Sequence, residues 1–530
     1  MKKYIFHYKY KFIFIVMLLI AVAGLEVYGA VIMANVINAV INKHLSKFYT
    51  QMIFWLLIWS IIIIIRYSLS IFETKFEQSI ANKIRADIVE TISHESYQEY
   101  NSSDNSKFVS WMNNDTQQIV DKGITYLYIV VEAISSIILS LITLWKYNIW
   151  IMLASIFLAF ITLFLPKILN NKLAKTSSEL STENEKFVAL SSNLLSNFNM
   201  LFSFNALSLM KEKISEESKK LKSAYVNQAK VYGGIAALGF LCNVLSQVGL
   251  TGLSGILAYQ GIISIGAIFS ITNLTGNIFN GVGNLPNYLS YIKSTEPIFN
   301  KFNLFIKKNY DNQAELKGTS ESPFLEMKNI DFSYPNATKK TINNFSYKFE
   351  RNKKYLLDGA SGCGKSTILK LLAGFYFSYK GKILLKGNSL KDYSPKQLHE
   401  NIFYLDQHPQ VIKGSVRDNL NLTNNYSDNK LKQVLHQVHL DNSDEFLDKY
   451  IEKNGSSLSG GQLQRLALAR ALLRDFDIFL MDEGTTGVEE KTAIELEQIL
   501  LKDINKTVIV VNHNLSQENR NLFDAIISLS

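Results

Sequence analysis

GASGCGKST, residues Gly359 to Thr367, follows an apolar, strand-like run (Tyr355–Leu357) and opens an apolar, helix-like one (Ile368–Ala373). Strand, glycine-rich loop and helix in that order read as a phosphate-binding loop. Gly359, Gly362 and Gly364 let successive backbone N–H groups turn inward around a β-phosphate, at a helix N-terminus whose dipole favours an anion. Lys365 is placed to reach the β- and γ-phosphates, and the Ser366 hydroxyl to bind Mg²⁺. With Ala360, Ser361, Cys363 and Thr367 these residues form the candidate nucleotide-binding segment. Kinases, GTPases and many ATPases share such a loop, so the class depends on what lies downstream.

Downstream come LSGGQ (Leu458 to Gln462), then QRLALARALL, then IFLMDE, where four apolar residues end in Asp482 and Glu483. This order resembles the ATP-binding cassette family, over roughly Phe324 to Ser530. The resemblance implies that Ser459, Gly460, Gly461 and Gln462 face the γ-phosphate of an ATP held by the phosphate loop of a second subunit, so the site needs two cassettes. It also implies that Asp482 holds Mg²⁺ and that Glu483 is the general base polarising the attacking water. Gln407, in IFYLDQHPQ, matches the glutamine that senses Mg²⁺ and water. His513, in TVIVVNHN, matches the switch histidine on the γ-phosphate, and Tyr334, in IDFSYPN, the aromatic that stacks on adenine. A lone His, Gln or Tyr after a strand is usually structural; six motifs in family order and spacing set that reading aside. The chain departs from the family in two places. Where the family usually reads PTSALD this chain reads GTTGVE, with Glu489 replacing an aspartate that contacts the opposite subunit. The sequence also stops soon after DAIISLS, so a short cassette is expected.

With 530 residues the chain is too long for one core and implies two or three domains. Hydrophobic residues make up 47% and charged residues 19%, and the apolar excess lies before about residue 295. The formal charge of +9 shows no basic stripe with interleaved aromatics, so membrane topology explains it better than nucleic acid. Cys242 lies in an apolar run and Cys363 in the phosphate loop, environments too different to pair, which implies a reduced cytosolic face.

Hydropathy marks six spans, near 12–41, 52–72, 123–145, 149–167, 232–259 and 264–291. Six spans place both termini on one side. Lys2, Lys3, Lys9 and Lys11 flank the first span, and the two long connections carry most of the loop cations. The short connections carry only Lys43, Lys47 and Lys146, so they face outward and both termini and the cassette face the cytosol. The first apolar run is far longer than a signal-peptide core and is read as a permanent helix. The long connections keep helical periodicity and charge, as in FEQSIANKIRADIVETI, so the membrane helices are expected to continue as paired cytosolic struts. By resemblance to exporter-type members, the reversals at Asn101–Asp115 and Ser203–Leu209 are short coupling helices.

The resulting expectation is a multidomain half-transporter. An α-helical transmembrane domain (1–305) leads through a linker (306–322) to an α/β P-loop nucleotide-binding domain (323–530). It works in the cell membrane as a homodimer or heterodimer, with ATP and Mg²⁺, exporting a peptide or other polar or amphipathic small-molecule cargo. The same fold serves an importer or an ATP-gated channel or sensor; a soluble ATPase acting on nucleic acid is excluded by the six spans.

Two features inside the spans carry expectations of their own. Glu26 and Arg66 fall at similar depth and are expected to pair, with Glu132 a competing partner, because an unpaired charge in lipid is costly. In the sixth span Asn273, Asn277, Asn280, Asn284 and Asn287 recur at steps of four and three, which puts five amides on one helical face. Facing lipid they would be desolvated without compensation, so they bond between helices or line a hydrated cargo path.

Overall fold

The computed structural model describes residues 1–93, 95–102, 105–164, 170–303, 324–335, 337, 339–452, 457–484, 487–512 and 515–529. The linker at 306–322, His513 and the end of the fourth span lie outside the described residues. The chain divides into two units, one formed by residues 1–91 and 108–307, the other by 92–107 and 308–530.

Among the described residues the first unit is built of helices joined by short turns. Its main rods are α1 (Lys9–Ile41), α2 (Leu45–Ser93), the helix ending at Tyr147 from Thr125, a fourth over Ile149–Phe164, a fifth over Leu207–Tyr259 and a sixth over Ile265–Ser294. Each overlaps one of the six hydropathic spans as far as the described residues run, and two extend well beyond theirs. Among the described residues four are long and apolar enough to cross a membrane; Ile149–Phe164 is shorter, and Ile265–Ser294 is not in that set. Asparagines and glycines dilute its apolar character. Leu45–Ser93 has 49 residues and Leu207–Tyr259 has 53. At about 1.5 Å per residue each is more than twice as long as the roughly 30 Å hydrocarbon layer. That excess length makes the struts, and Gln228 Nε2, donating to Ser177 Oγ at 3.1 Å, ties one strut to the helix Asn170–Ser196. The second strut pair reverses through a short helix, Phe198–Ser203, followed by a turn.

Val27, Leu144, Ile151, Leu250, Ile271 and Ile278 form the core where these helices meet. Gly266 allows one of the closest approaches, since a Cβ there would collide with the Ala34 carbonyl oxygen. Asn38 seals the join: its Oδ1 accepts from Gly266 N at 2.8 Å and its Nδ2 donates to Ser264 Oγ at 2.9 Å. The intramembrane charges form a three-membered cluster, not a pair. One Arg66 nitrogen, Nη2, lies 2.7 Å from both Glu26 Oε1 and Glu132 Oε1. Nη2 carries two N–H groups, so one guanidinium nitrogen can donate to both carboxylates.

The second unit carries two main sheets. A five-stranded parallel sheet contains, in order, Ala525–Leu529, Lys354–Gly359, Thr507–Val511, Ile478–Asp482 and Ile402–Leu405. The three central strands are buried almost throughout and read as apolar runs, because both their faces are covered. A four-stranded antiparallel sheet, built on Leu325–Phe332, packs its inner residues (Leu325, Met327, Ile383) into the same core as Leu357 and Ile368. The carboxyl ends of the parallel strands are where such folds place ligands. Here those ends lead into Gly359, Gln407, Glu483 and Asn512.

Candidate active site

The phosphate loop leaves its strand at Gly359 (φ 151°) and enters helix Lys365–Leu372 through Gly364 (φ 102°). Side chains are excluded at both ends: a Cβ on Gly359 would lie 2.5 Å from Leu529 O, and one on Gly364 2.5 Å from Ile342 Cδ1. Lys365 is buried, and its Nζ donates to the Gly359 and Ala360 carbonyls at 2.8 and 2.9 Å. The ammonium is thus folded back into the loop it would share with a phosphate.

Asp482 ends a strand whose five residues are all buried, and it is itself 4% exposed. Ser366 Oγ donates to its Oδ1 at 2.8 Å, and Tyr404 Oη to its Oδ2 at 3.1 Å. Burial pushes the Asp482 carboxyl above the usual range, opposed by these two hydroxyls. Burial and the Asp482 charge push the Tyr404 phenol up as well, so it remains a donor. Glu483 follows with a left-handed φ of 51°, and its N–H donates to Val511 O at 2.8 Å. Gln407 Nε2 donates to Glu483 Oε2 at 2.7 Å. Ser366, Asp482, Glu483 and Gln407 are therefore brought together.

Tyr334 lies beside the first turn of helix Lys365–Leu372. Its hydroxyl shares a 3.0 Å hydrogen bond with Thr367 Oγ1, and its ring meets Tyr376 edge-on at 5.4 Å. The LSGGQ segment makes a capping box, in which Ser459 Oγ accepts from Gln462 N and Gln462 Oε1 accepts from Ser459 N. Ser459 and Gly460 are exposed at this helix N-terminus. Gly461 is close-packed: a Cβ there would lie 2.7 Å from Gly487 O, and Gln464 Oε1 accepts from Gly487 N at 2.9 Å. Gly487 thus rests against the LSGGQ helix, while Glu489 occupies the N-cap of helix Glu490–Leu501 without a side-chain cap bond.

Sequence reasoning missed three groups. Tyr404 was hidden inside a buried strand, although a tyrosine whose polar tip must find a partner is a signal of sorts. Glu497 is 3% exposed and takes amide donors from Asn512 and Asn519, both at 2.7 Å, so it holds the Asn512 side chain at the end of its strand. Tyr97, from the first long connection, stacks on Phe375 at 4.1 Å.

A phosphate loop and buried acidic strand end, on a chain whose other half is long apolar helices, define a membrane-coupled P-loop ATPase. The chain belongs to the ABC transporter family: residues 342–486 match the family's ATP-binding model and residues 12–282 its transmembrane region. It is similar to the multidrug resistance-like ATP-binding protein MdlB of Buchnera aphidicola, with 25% identity covering 94% of this chain and 87% of that one. A putative export ATP-binding/permease protein of Rickettsia conorii is 27% identical over 97% of this chain and 91% of its own. The microcin-J25 export ATP-binding/permease protein McjD of Escherichia coli is 30% identical, covering 76% and 72%. The protein is an exporter-type half-transporter whose ATPase is coupled to transport across a membrane.

Proposed function

We propose that two such chains, identical or paired with a second half-transporter, sandwich two ATP molecules and export a peptide-like or other hydrogen-bonding amphiphile. The membrane domain spans 1–305 and the nucleotide-binding domain 323–530, joined by a linker at 306–322, with both termini cytosolic by the distribution of lysines. Tyr334 takes the adenine, residues 359–367 the phosphates, and Ser459 to Gln462 the γ-phosphate held by the partner. A buried carboxylate whose two hydrogen bonds come from neutral hydroxyls fits a hard divalent cation, so Ser366 and Asp482, with Gln407, would hold Mg²⁺. When bound, that ion neutralises charge on the phosphates. Water attacks the γ-phosphorus in line, the bond to the β–γ bridging oxygen breaks, ADP leaves with that electron pair, and Glu483 accepts the proton. His513 completes the γ-phosphate contacts in this scheme.

The observation that carries the cargo reading is the asparagine face of Ile265–Ser294. Asn273, Asn280, Asn284 and Asn287 are exposed within the chain, and Asn277 is half-buried. Asn280 also has a packing role, because its Oδ1 accepts from Asn243 Nδ2 at 2.9 Å, and Gln247 in turn donates to Asn243. Asn273 and Asn284 donate to carbonyls of their own helix, which leaves their amide oxygens for another partner. The helix therefore combines one bridging amide with several outward ones, as expected of a wall between packed helices and a wet path. Replacing Asn273 and Asn287 with Leu is expected to abolish transport and cargo-stimulated ATP turnover while leaving assembly intact; Asn280→Leu is expected to lower thermal stability first. Full transport by the Asn273/Asn287 variant would remove the polar path.

A further inference from the structure

The proposed metal carboxylate, Asp482, is connected by aromatic rings to a segment that in sequence lies between membrane helices. Each oxygen of Asp482 has one hydroxyl donor, Ser366 on Oδ1 and Tyr404 on Oδ2. Ser366 is needed by the cation itself in the reading above, so when the ion binds its hydroxyl must turn its lone pairs outward. Tyr404 then remains as the side chain that fixes the carboxylate plane. Its ring cannot swing freely, because Phe375 meets it edge-on at 5.0 Å and 73°. Phe375 is clamped from the other side by Tyr97, with ring centroids 4.1 Å apart and planes 23° apart. Tyr97 also meets Tyr376 edge-on at 6.0 Å, and Tyr376 meets Tyr334.

We propose that Tyr404 is a positioning residue for Asp482 and that Tyr97, acting through Phe375, sets where Tyr404 holds it. The physical basis is short. A carboxylate accepting one fixed phenolic hydrogen bond keeps one rotamer; without it, the χ2 torsion, which is broad for Asp, lets the free oxygen wander from the ion. The ring–ring contacts are stacked and edge-on, pairings with preferred geometries that add to the area they bury. Residues 92–107 group with the nucleotide-binding unit, so a displacement of this segment reaches Asp482 through two ring contacts and one hydrogen bond.

This inference rests on the reading of Asp482 as a metal ligand, and the experiment separates the two. Mn²⁺ is titrated, by EPR, against full-length protein in detergent saturated with a non-hydrolysable ATP analogue. Asp482→Asn is expected to lose high-affinity Mn²⁺ binding. Tyr404→Phe, which removes one oxygen and keeps the ring, is expected to weaken it roughly tenfold, while affinity for a fluorescent ATP analogue in EDTA stays unchanged. Tyr97→Ala is expected to weaken Mn²⁺ binding in the wild-type background and to add little in the Tyr404→Phe background, since the two act through one contact chain. Unchanged Mn²⁺ affinity in Asp482→Asn would overturn the ligand reading and this inference together. A normal Tyr404→Phe beside a defective Asp482→Asn would overturn the inference alone, and an undiminished Tyr97→Ala effect in the Tyr404→Phe background would overturn its Tyr97 part.

Discussion

Gln407 Nε2 donates to Glu483 Oε2 across 2.7 Å, so the glutamine expected near the ion and the glutamate expected to take the proton from water are bonded to each other. A base engaged in this way has one oxygen less for water. Ser366 and Asp482 are joined in the same manner, and Lys365 is turned onto its own loop carbonyls. These donors and acceptors satisfy one another within the chain, so in the proposed scheme nucleotide and cation must separate them.

Two substitutions should therefore fail in different ways. Glu483→Gln keeps shape and hydrogen-bonding capacity but cannot accept the proton, and should retain ATP binding while losing turnover by roughly 10²–10⁴-fold. Lys365→Ala removes the phosphate charge and should weaken ATP binding itself by roughly ten- to a hundredfold. Equilibrium binding and phosphate release, measured side by side, check this division; equal ATP affinity in both variants would contradict it.

Arg66 predicts an asymmetry in stability. It bonds Glu26 and Glu132 together, at 2.7 Å each, one positive charge between two carboxylates, so removing either acid leaves a matched pair. Arg66→Leu leaves two facing carboxylates in the membrane, where each charge costs roughly 2.5–3.5 kcal/mol on insertion scales. The yield and unfolding temperature of Arg66→Leu should fall well below those of Glu26→Gln or Glu132→Gln. Adding both glutamines to Arg66→Leu should recover most of the loss.

The cassette should lose stability in acid for an identifiable reason. Glu326 is 2% exposed, and although burial tends to raise its carboxyl, Lys328 at 2.9 Å and Lys348 at 3.4 Å hold it below the usual range. Asp524 behaves likewise, with Lys353 and the Lys354 N–H outweighing its partial burial. For a depressed carboxyl the stabilisation is present above the unfolded value, about 4, and is lost as pH falls through the lower folded value. Unfolding temperature should drop below about pH 4, and the Glu326→Gln, Asp524→Asn double variant should show a shallower drop over the same window.

The local backbone of the candidate nucleotide site was legible because its residues lie at fixed offsets from strand ends: a glycine-rich turn, a buried run ending in Asp-Glu and a capped LSGGQ helix. What local pattern cannot encode is which distant side chain meets which. Tyr97 and Phe375 are far apart in the chain, and nothing in either neighbourhood marks them as partners. Arg66 shows the same limit at shorter range, since helical depth put Glu26 and Glu132 in competition and only the packing of three helices let one guanidinium take both. In the asparagine face, periodicity located the stripe, but it took the neighbouring helix to separate Asn280, bonded to Asn243, from its outward-facing companions.

The most direct test is directional. Full-length protein is reconstituted into liposomes, the population with cassettes outside is energised with ATP and Mg²⁺, and a mixed library of amphipathic peptides is followed into the lumen by mass spectrometry. The account predicts ATP-dependent accumulation of a subset in the lumen, absent with Glu483→Gln. Net movement out of the lumen, or accumulation that Glu483→Gln leaves unchanged, would contradict it.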